Sequence, residues 1–216
     1  FFVIDLSDAE NPKVLGYLKI PGFSDYLHPY DENHIIGVGK DTAEPTDEES
    51  RGRDFAWYQG LKISLFDVSD VENPKEQAKI VIGDRGTDSI ALNDHKAFLF
   101  DKEKGVLVLP VSLAKINEQT YLKQYGKVPT WAYGEIVWQG AYVLNINDSD
   151  ISIRGRVTHN EDFNKNVYDW NSQVQRSLFM DNALYTISQA EVKANDLNTI
   201  EEIKEICLSR FKLEKT

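Results

Sequence analysis

The segment Val3-Ile-Asp-Leu-Ser-Asp-Ala-Glu-Asn-Pro-Lys13 returns 62 positions later as Leu65-Phe-Asp-Val-Ser-Asp-Val-Glu-Asn-Pro-Lys75. An apolar pair, Asp, an apolar residue, Ser-Asp and then Asn-Pro describes a strand running out into a tight turn. Asp, Ser and Asn close turns on their own backbone, and proline sets the exit. Upstream of the second copy, Leu61, Ile63 and Leu65 alternate with Lys62 and Ser64, the pattern of a strand with one buried face. A strand-plus-turn unit repeated within one chain specifies a radial or stacked β architecture, in which each unit buries its apolar face against the next.

The rest of the chain carries the same signals. Residues 34–39 form a short apolar run ended by glycine, and 61–68 and 77–82 alternate. Residues 90–100 read as strand, turn at Asn93-Asp94, strand, and Asp101–Gly105 turns into Val106–Val111. Ala141–Asp148 is a degraded copy of the repeat, followed by a strand over Ile151–Val157. A further unit begins at Ser177, with a turn at Asp181-Asn182 that echoes Asn93-Asp94 and Asp31-Glu32-Asn33. Units therefore fall at about 1–20 (partial), 25–84, 88–158 and 174–208, interrupted by long insertions at 40–59 and 112–137. In the second insertion Ser112 is a candidate N-cap, with Leu113, Ile116 and Leu122 as apolar points and Gly126 and Pro129 as stops. Ile200, Ile203, Cys207 and Phe211 suit a helix, but the repeat register makes 202–207 a strand.

Bulk composition excludes some functions. A net charge of −11 argues against nucleic acid, whose phosphates require a basic surface. No apolar run approaches the ~20 residues that span a bilayer as a helix. One cysteine, Cys207, rules out an intramolecular disulfide and is expected as a buried core thiol. The opening Phe1-Phe-Val-Ile4 already reads as strand, so the expectation is a piece of a longer protein.

The Asp-x-Ser-Asp-x-Glu-Asn-Pro strand ends resemble the repeats of secreted prokaryotic propellers with "LVIVD"-type motifs. The likeness is closest across Asp25–His34, Leu61–Pro74 and Asp94–Lys104, and extends over roughly residues 1–206 apart from the two insertions. Together these segments resemble the C-terminal β-propeller domain of secreted archaeal and bacterial proteins, distantly related to WD40 repeats. The resemblance implies an all-β propeller of four-stranded antiparallel blades with no established activity. A blade uses ~40–50 residues, so the chain holds about four blades' worth: either a small closed ring or, as the mid-strand start favours, the C-terminal part of a larger ring. Missing N-terminal blades or a second copy would complete that ring and cover its two sheet edges.

Candidate chemistry is sparse. Asp8, Glu10 and Asn11, and Asp70, Glu72 and Asn73, offer hard oxygens for Ca²⁺; the same residues are ordinary turn formers. His28, His34 and His95 could gather at a propeller axis as a transition-metal site, although their spacing matches no metal motif and the repeat explains them as turn and strand-start residues. Asp41, Glu44, Asp47, Glu48 and Glu49 form a solvated acidic loop or a weak calcium site. Phe55, Trp57 and Tyr58 in one insertion, and Tyr121, Tyr125, Trp131 and Tyr133 in the other, with Trp138 alongside, could bind a sugar or peptide or anchor the insertions to the scaffold. Asn147-Asp-Ser149 fits a glycosylation sequon. Gly-x-Ser-x-Gly and a Walker loop are both missing, and Gly37-Val-Gly39 lacks a third glycine.

The expected function is a non-enzymatic, extracellular or envelope-associated recognition or scaffold module without a cofactor. Its ligand-binding candidates are Trp57, Tyr58, Trp131 and Tyr133, and its partner a protein or glycan. The alternative is a secreted metal-dependent enzyme built on His28, His34 and His95.

Overall fold

The computed structural model of this protein describes residues 1–50, 52, 54–160 and 169–208. Among them, β1 (Phe2–Asp5) and β2 (Lys13–Tyr17) form a two-stranded sheet, followed by three four-stranded antiparallel meanders. The first contains β3 (Phe23–Pro29), β4 (His34–Ala43), β5 (Trp57–Asp67) and β6 (Lys75–Ile82). The next contains β7 (Leu99–Asp101), β8 (Val106–Lys115), β9 (Glu135–Ile146) and β10 (Ile151–Val157). The last contains β11 (Arg176–Met180), β12 (Ala183–Ile187), β13 (Glu191–Asp196) and β14 (Glu202–Cys207). Two short helices, α1 (Asp47–Ser50) and α2 (Glu118–Tyr125), lie in the insertions.

The middle strands explain why the sheets stack face to face. β8 is buried from Val106 through Ala114, so it reads as a continuous apolar run rather than an alternation. Its two faces serve two cores. Leu107 and Leu109 pack with Ile36, Val38, Leu61, Ile63 and Leu65 of the preceding meander. Val106 and Val108, pointing the other way, pack with Leu184 and Leu197 of the following one. Each such leucine contributes ~1.5–3 kcal/mol by leaving water.

The repeat is reproduced atom by atom. In the β1–β2 turn the Asp8 carboxylate accepts from Glu10 N at 3.1 Å and Asn11 Nδ2 at 3.0 Å. In the β5–β6 turn Asp70 accepts from Glu72 N at 3.1 Å and Asn73 Nδ2 at 3.0 Å. So β1–β2 is the counterpart of β5–β6, the second half of a blade. The described residues supply three complete four-stranded sheets and one half-sheet.

Four expectations need correction. Residues 90–92 and 95–97 are 3-10 turns, not strand, because Ser89 Oγ accepts from Ala91 N and Asp94 Oδ1 from Lys96 N, capping each turn. Asn93-Asp94 therefore precedes the first strand of its sheet. The counterpart of Asp31–Asn33 and Asp181-Asn182 is instead Asp101–Gly105, between β7 and β8. Ser112 is no helix cap: it pairs with Gln139 in the β8–β9 ladder. The helix starts at Asn117, whose Oδ1 accepts from Thr120 N, and stops at Gly126 in the left-handed region at φ 71°. Cys207 is exposed on the edge strand β14 rather than buried. The strand reading of 202–207 is the one observed, and Phe211 lies outside the described residues. Gly39 is a packing glycine in β4, since a side chain there would overlap the Phe23 carbonyl oxygen.

Leu144→Ala, in the core between the first two meanders, is expected to lose about 2–5 kcal/mol in a urea melt. Val81→Ala, 39% exposed, is expected to stay within about 0.5 kcal/mol.

Candidate functional site

An antiparallel meander puts its odd and even connections at opposite ends. One end collects the short turns: the Asx-closed Asp31–Asn33, Asp67–Lys75, Asp101–Gly105, Asn147–Asp150 and Asp196–Thr199, and the two-residue turn Asp181-Asn182, whose Asn182 side chain bonds Asp196 and Asn198. The other end carries both insertions, each joining the second and third strands of its sheet, and the connection from β6 to β7. Insertions that look unrelated in sequence therefore project side by side.

Arg85, in the β6–β7 connection, ties them together. Its guanidinium lies 4.4 Å from the ring centre of Trp57 and 5.5 Å from that of Tyr133, and its Nη1 donates to Trp131 O at 2.9 Å. Gly134 N donates to Arg85 O at 2.8 Å. Each insertion thus touches one planar cation, an arrangement for which guanidinium is suited and ammonium is not.

A second clamp lies further out. Glu49, on α1, accepts from Thr130 Oγ1 at 2.6 Å and Thr130 N at 3.1 Å, while Gln59 Nε2 donates to Thr130 O at 3.0 Å. The Thr130 hydroxyl, then the Thr46 backbone N–H, hold the Glu49 carboxyl down at about 2. Lys127 and Glu48 add an exposed pair at 3.4 Å. The acidic loop is thus partly a fastener: Glu48 and Glu49 bond the other insertion.

The aromatic candidates divide into two roles. Trp131 packs edge-on against Tyr121 and Tyr125, and Trp57 against Phe55. Trp57 and Trp131 line a cleft of about 500 Å³ between the insertions. Trp138 packs on Tyr142, away from the insertions. Tyr58 and Tyr133, by contrast, are 58% and 60% exposed and stand at the mouth of a larger cleft of about 860 Å³. Tyr133 is aimed by its own backbone, which donates from N to Tyr121 Oη at 3.0 Å and accepts from the same hydroxyl at 3.3 Å. The larger cleft also takes Lys40, Asp88, Trp170, Gln173, Gln175 and Gln189. None of these was singled out in the sequence, because they come from three different sheets and share no local motif.

The proposed metal residues are not brought together. His28 sits among Phe98 and Phe100 with Nδ1 at 2.9 Å from Tyr26 Oη, and burial lowers its pKa. His34 pairs with Asp31 at 2.8 Å, and His95 lies in a 3-10 turn. Among the described residues no three His, Cys, Asp or Glu side chains are grouped to hold an ion. Asp8 and Asp70 spend their oxygens on their own turns; the Asn11 and Asn73 side chains are the first cause of their lowered pKa values. Asn147 closes its turn by accepting from Ser149 N and Asp150 N, both at 2.9 Å.

A histidine absent from the sequence reading, His159, has the most perturbed environment of the four. Its side chain is wholly buried between the last two meanders, Nε2 at 2.8 Å from Thr186 Oγ1 and Nδ1 at 3.6 Å from Glu191. Burial, then the Lys193 charge, depress it to about 4.

A family model described as a beta propeller domain matches residues 1–200. An uncharacterised protein of Methanocaldococcus jannaschii is 35% identical over 204 residues, and one of Archaeoglobus fulgidus is 30% identical over 208. These alignments take in 94% and 96% of this chain but 24% of each relative, so the chain spans about a quarter of their length. No helix among the described residues is long and apolar enough to cross a membrane.

Arg85→Ala is expected to cost about 1–3 kcal/mol and to open both insertions to limited proteolysis, and Arg85→Lys is expected not to restore protection. The His159 imidazole binds its proton more readily unfolded than folded, so stability falls as pH drops from 6.5 through about 4. The full loss is on the order of 3 kcal/mol. In melting temperatures read across pH 4–7, His159→Gln should flatten that slope.

Proposed function

From membership of the beta propeller domain family, to which this chain belongs, we propose that it is a non-enzymatic recognition module whose binding surface is the end carrying the two insertions. The observation that supports this reading is the Arg85 junction, which locks loops from adjacent sheets into one aromatic surface beside a cleft of about 860 Å³. A rigid β scaffold presenting preordered tyrosines contributes contact area at low entropy cost. The opposite end offers short turns whose polar atoms bond one another, and has little left to offer a ligand.

The module is extracellular or envelope-associated, in keeping with the secreted propellers its repeats resemble, and it works without a metal. Its sheets continue into further blades or a second copy. Phe2, Ile4, Val14 and Tyr17 on the half-blade, each at least 51% exposed, form the kind of apolar face that neighbouring sheets cover elsewhere in the chain.

Cosedimentation with isolated cell envelopes of Archaeoglobus fulgidus, a source of one relative, tests the recognition reading. The wild-type chain is expected to pellet, and the double variant Tyr58→Ser, Tyr133→Ser to remain in the supernatant while still melting as a cooperatively folded protein. Equal behaviour of the two would overturn it. Light scattering tests the sheet faces. The expected result is a mass above 24.7 kDa that falls on dilution. A monomer at every concentration, with slow amide exchange along β1, would show that the chain covers these faces itself.

A further inference from the structure

The larger cleft has a composition that narrows its ligand, and we infer that it takes a neutral oligosaccharide, with Tyr58, Tyr133 and Trp170 as ring-stacking surfaces and Gln173, Gln175 and Gln189 as hydroxyl readers. This inference rests on the recognition reading and names its ligand.

Charge is the first argument. The chain carries −11 overall, yet the cleft balances Lys40 and Arg85 against Asp88 and Asp94. Each of the four is engaged internally. Lys40 bonds Asp88 at 2.9 Å, Arg176 bonds Asp94 at 2.5 Å, and Arg85 lies over Trp57 with a bond to Trp131 O. Both carboxylates are already paired with cations, so none is left for a cationic ligand. Arg85 is turned onto Trp57 and the Trp131 carbonyl; held by the loops, it is the sole cation of the lining without a carboxylate partner among the described residues.

The rest of the cleft's lining is largely aromatic and amide. Tyr58, Tyr133 and Trp170 are 58%, 60% and 65% exposed around one opening. The C–H faces of a pyranose pack flat on such rings, leaving hydroxyls at the rim. A glutamine amide presents a donor and an acceptor side by side, matching adjacent hydroxyls that each donate and accept. Three glutamines on the side of the last meander supply that pattern.

A second observation lies at the floor. Ser112 lines the cleft and has Gln173 Nε2 at 3.5 Å from its hydroxyl. Directly across the β8–β9 ladder, on the same sheet face, stands Gln139, fully buried. Both its Nε2 and its Oε1 lack a protein partner. An unpaired buried amide is costly unless a hydroxyl or water meets it. Gln139 does not itself line the cleft, so it stands behind Ser112 as a buried polar group and not as a ligand contact.

The test is intrinsic tryptophan fluorescence and calorimetry of the chain with maltohexaose, cellohexaose, mannohexaose and chitohexaose. Hexagalacturonate and a glutamine-rich peptide complete the set. Saturable binding of at least one neutral sugar is expected, weakened about tenfold or more by Trp170→Ala and by Gln173→Ala at unchanged melting temperature. Trp170 is 65% exposed and Gln173 half-buried at the cleft wall, so the melting temperature of each variant is read alongside binding. Binding of a neutral sugar that neither variant alters would overturn the site. Preference for hexagalacturonate or for the peptide would overturn the ligand class. If no sugar binds while cosedimentation with envelopes still depends on Tyr58 and Tyr133, the recognition reading stands and the sugar inference fails. If both assays are negative, both readings fail.

Discussion

The architecture depends on burying both faces of the middle strands. β8 cannot satisfy its apolar residues with one neighbour: Leu107 and Leu109 need one sheet, and Val106 and Val108 another. Stacking sheets face to face is the arrangement that serves both sets, and it forces the meanders into a series. Each sheet also ends in hairpins whose even and odd turns emerge at opposite ends. The placement of the candidate site follows from that separation, since chain inserted between second and third strands can only accumulate on one side.

The two ends then diverge chemically. At one, Asp, Asn and Ser side chains satisfy backbone N–H groups within their own turns, leaving a compact polar rim. At the other, the long loops close only partly on themselves, as at Tyr121 and Tyr133, and find their other partners in each other. Arg85 and the Glu49–Thr130 contact supply them. A planar cation between two aromatic rings and a carboxylate holding two donors are directional contacts. They set the spacing of Tyr58 and Tyr133 rather than merely attaching the loops.

Legibility in the sequence tracked the range of the interaction. The Ser-Asp-x-Glu-Asn-Pro turns were readable because their bonds span two or three residues, and their two copies adopt matching geometry. Strand 202–207 was recovered from repeat register. The strand expected over residues 90–92 was not, because Ser89 diverts an apolar run into a 3-10 turn through one side-chain bond. His34 and His95 follow similar Asp/Asn pairs in sequence but stand at different kinds of turn. In space one begins a second strand and the other precedes a first. Trp57 and Trp131 were recognised as aromatic insertion residues, yet Arg85, which positions them, carried no signal: its partners lie 28 and 46 residues away.

Sequence by itself determined that this chain is a series of β-meanders with Asx-closed turns and two aromatic-rich insertions. Periodicity and turn chemistry are local and act before the sheets meet. Only tertiary structure decided that the insertions share an end, that Glu49 and Arg85 fasten them, and that glutamines from a third sheet face tyrosines from the first two. Those relations arise from stacking sheets whose residues are far apart along the chain, and no local pattern encodes which distant side chains the stacking brings into contact.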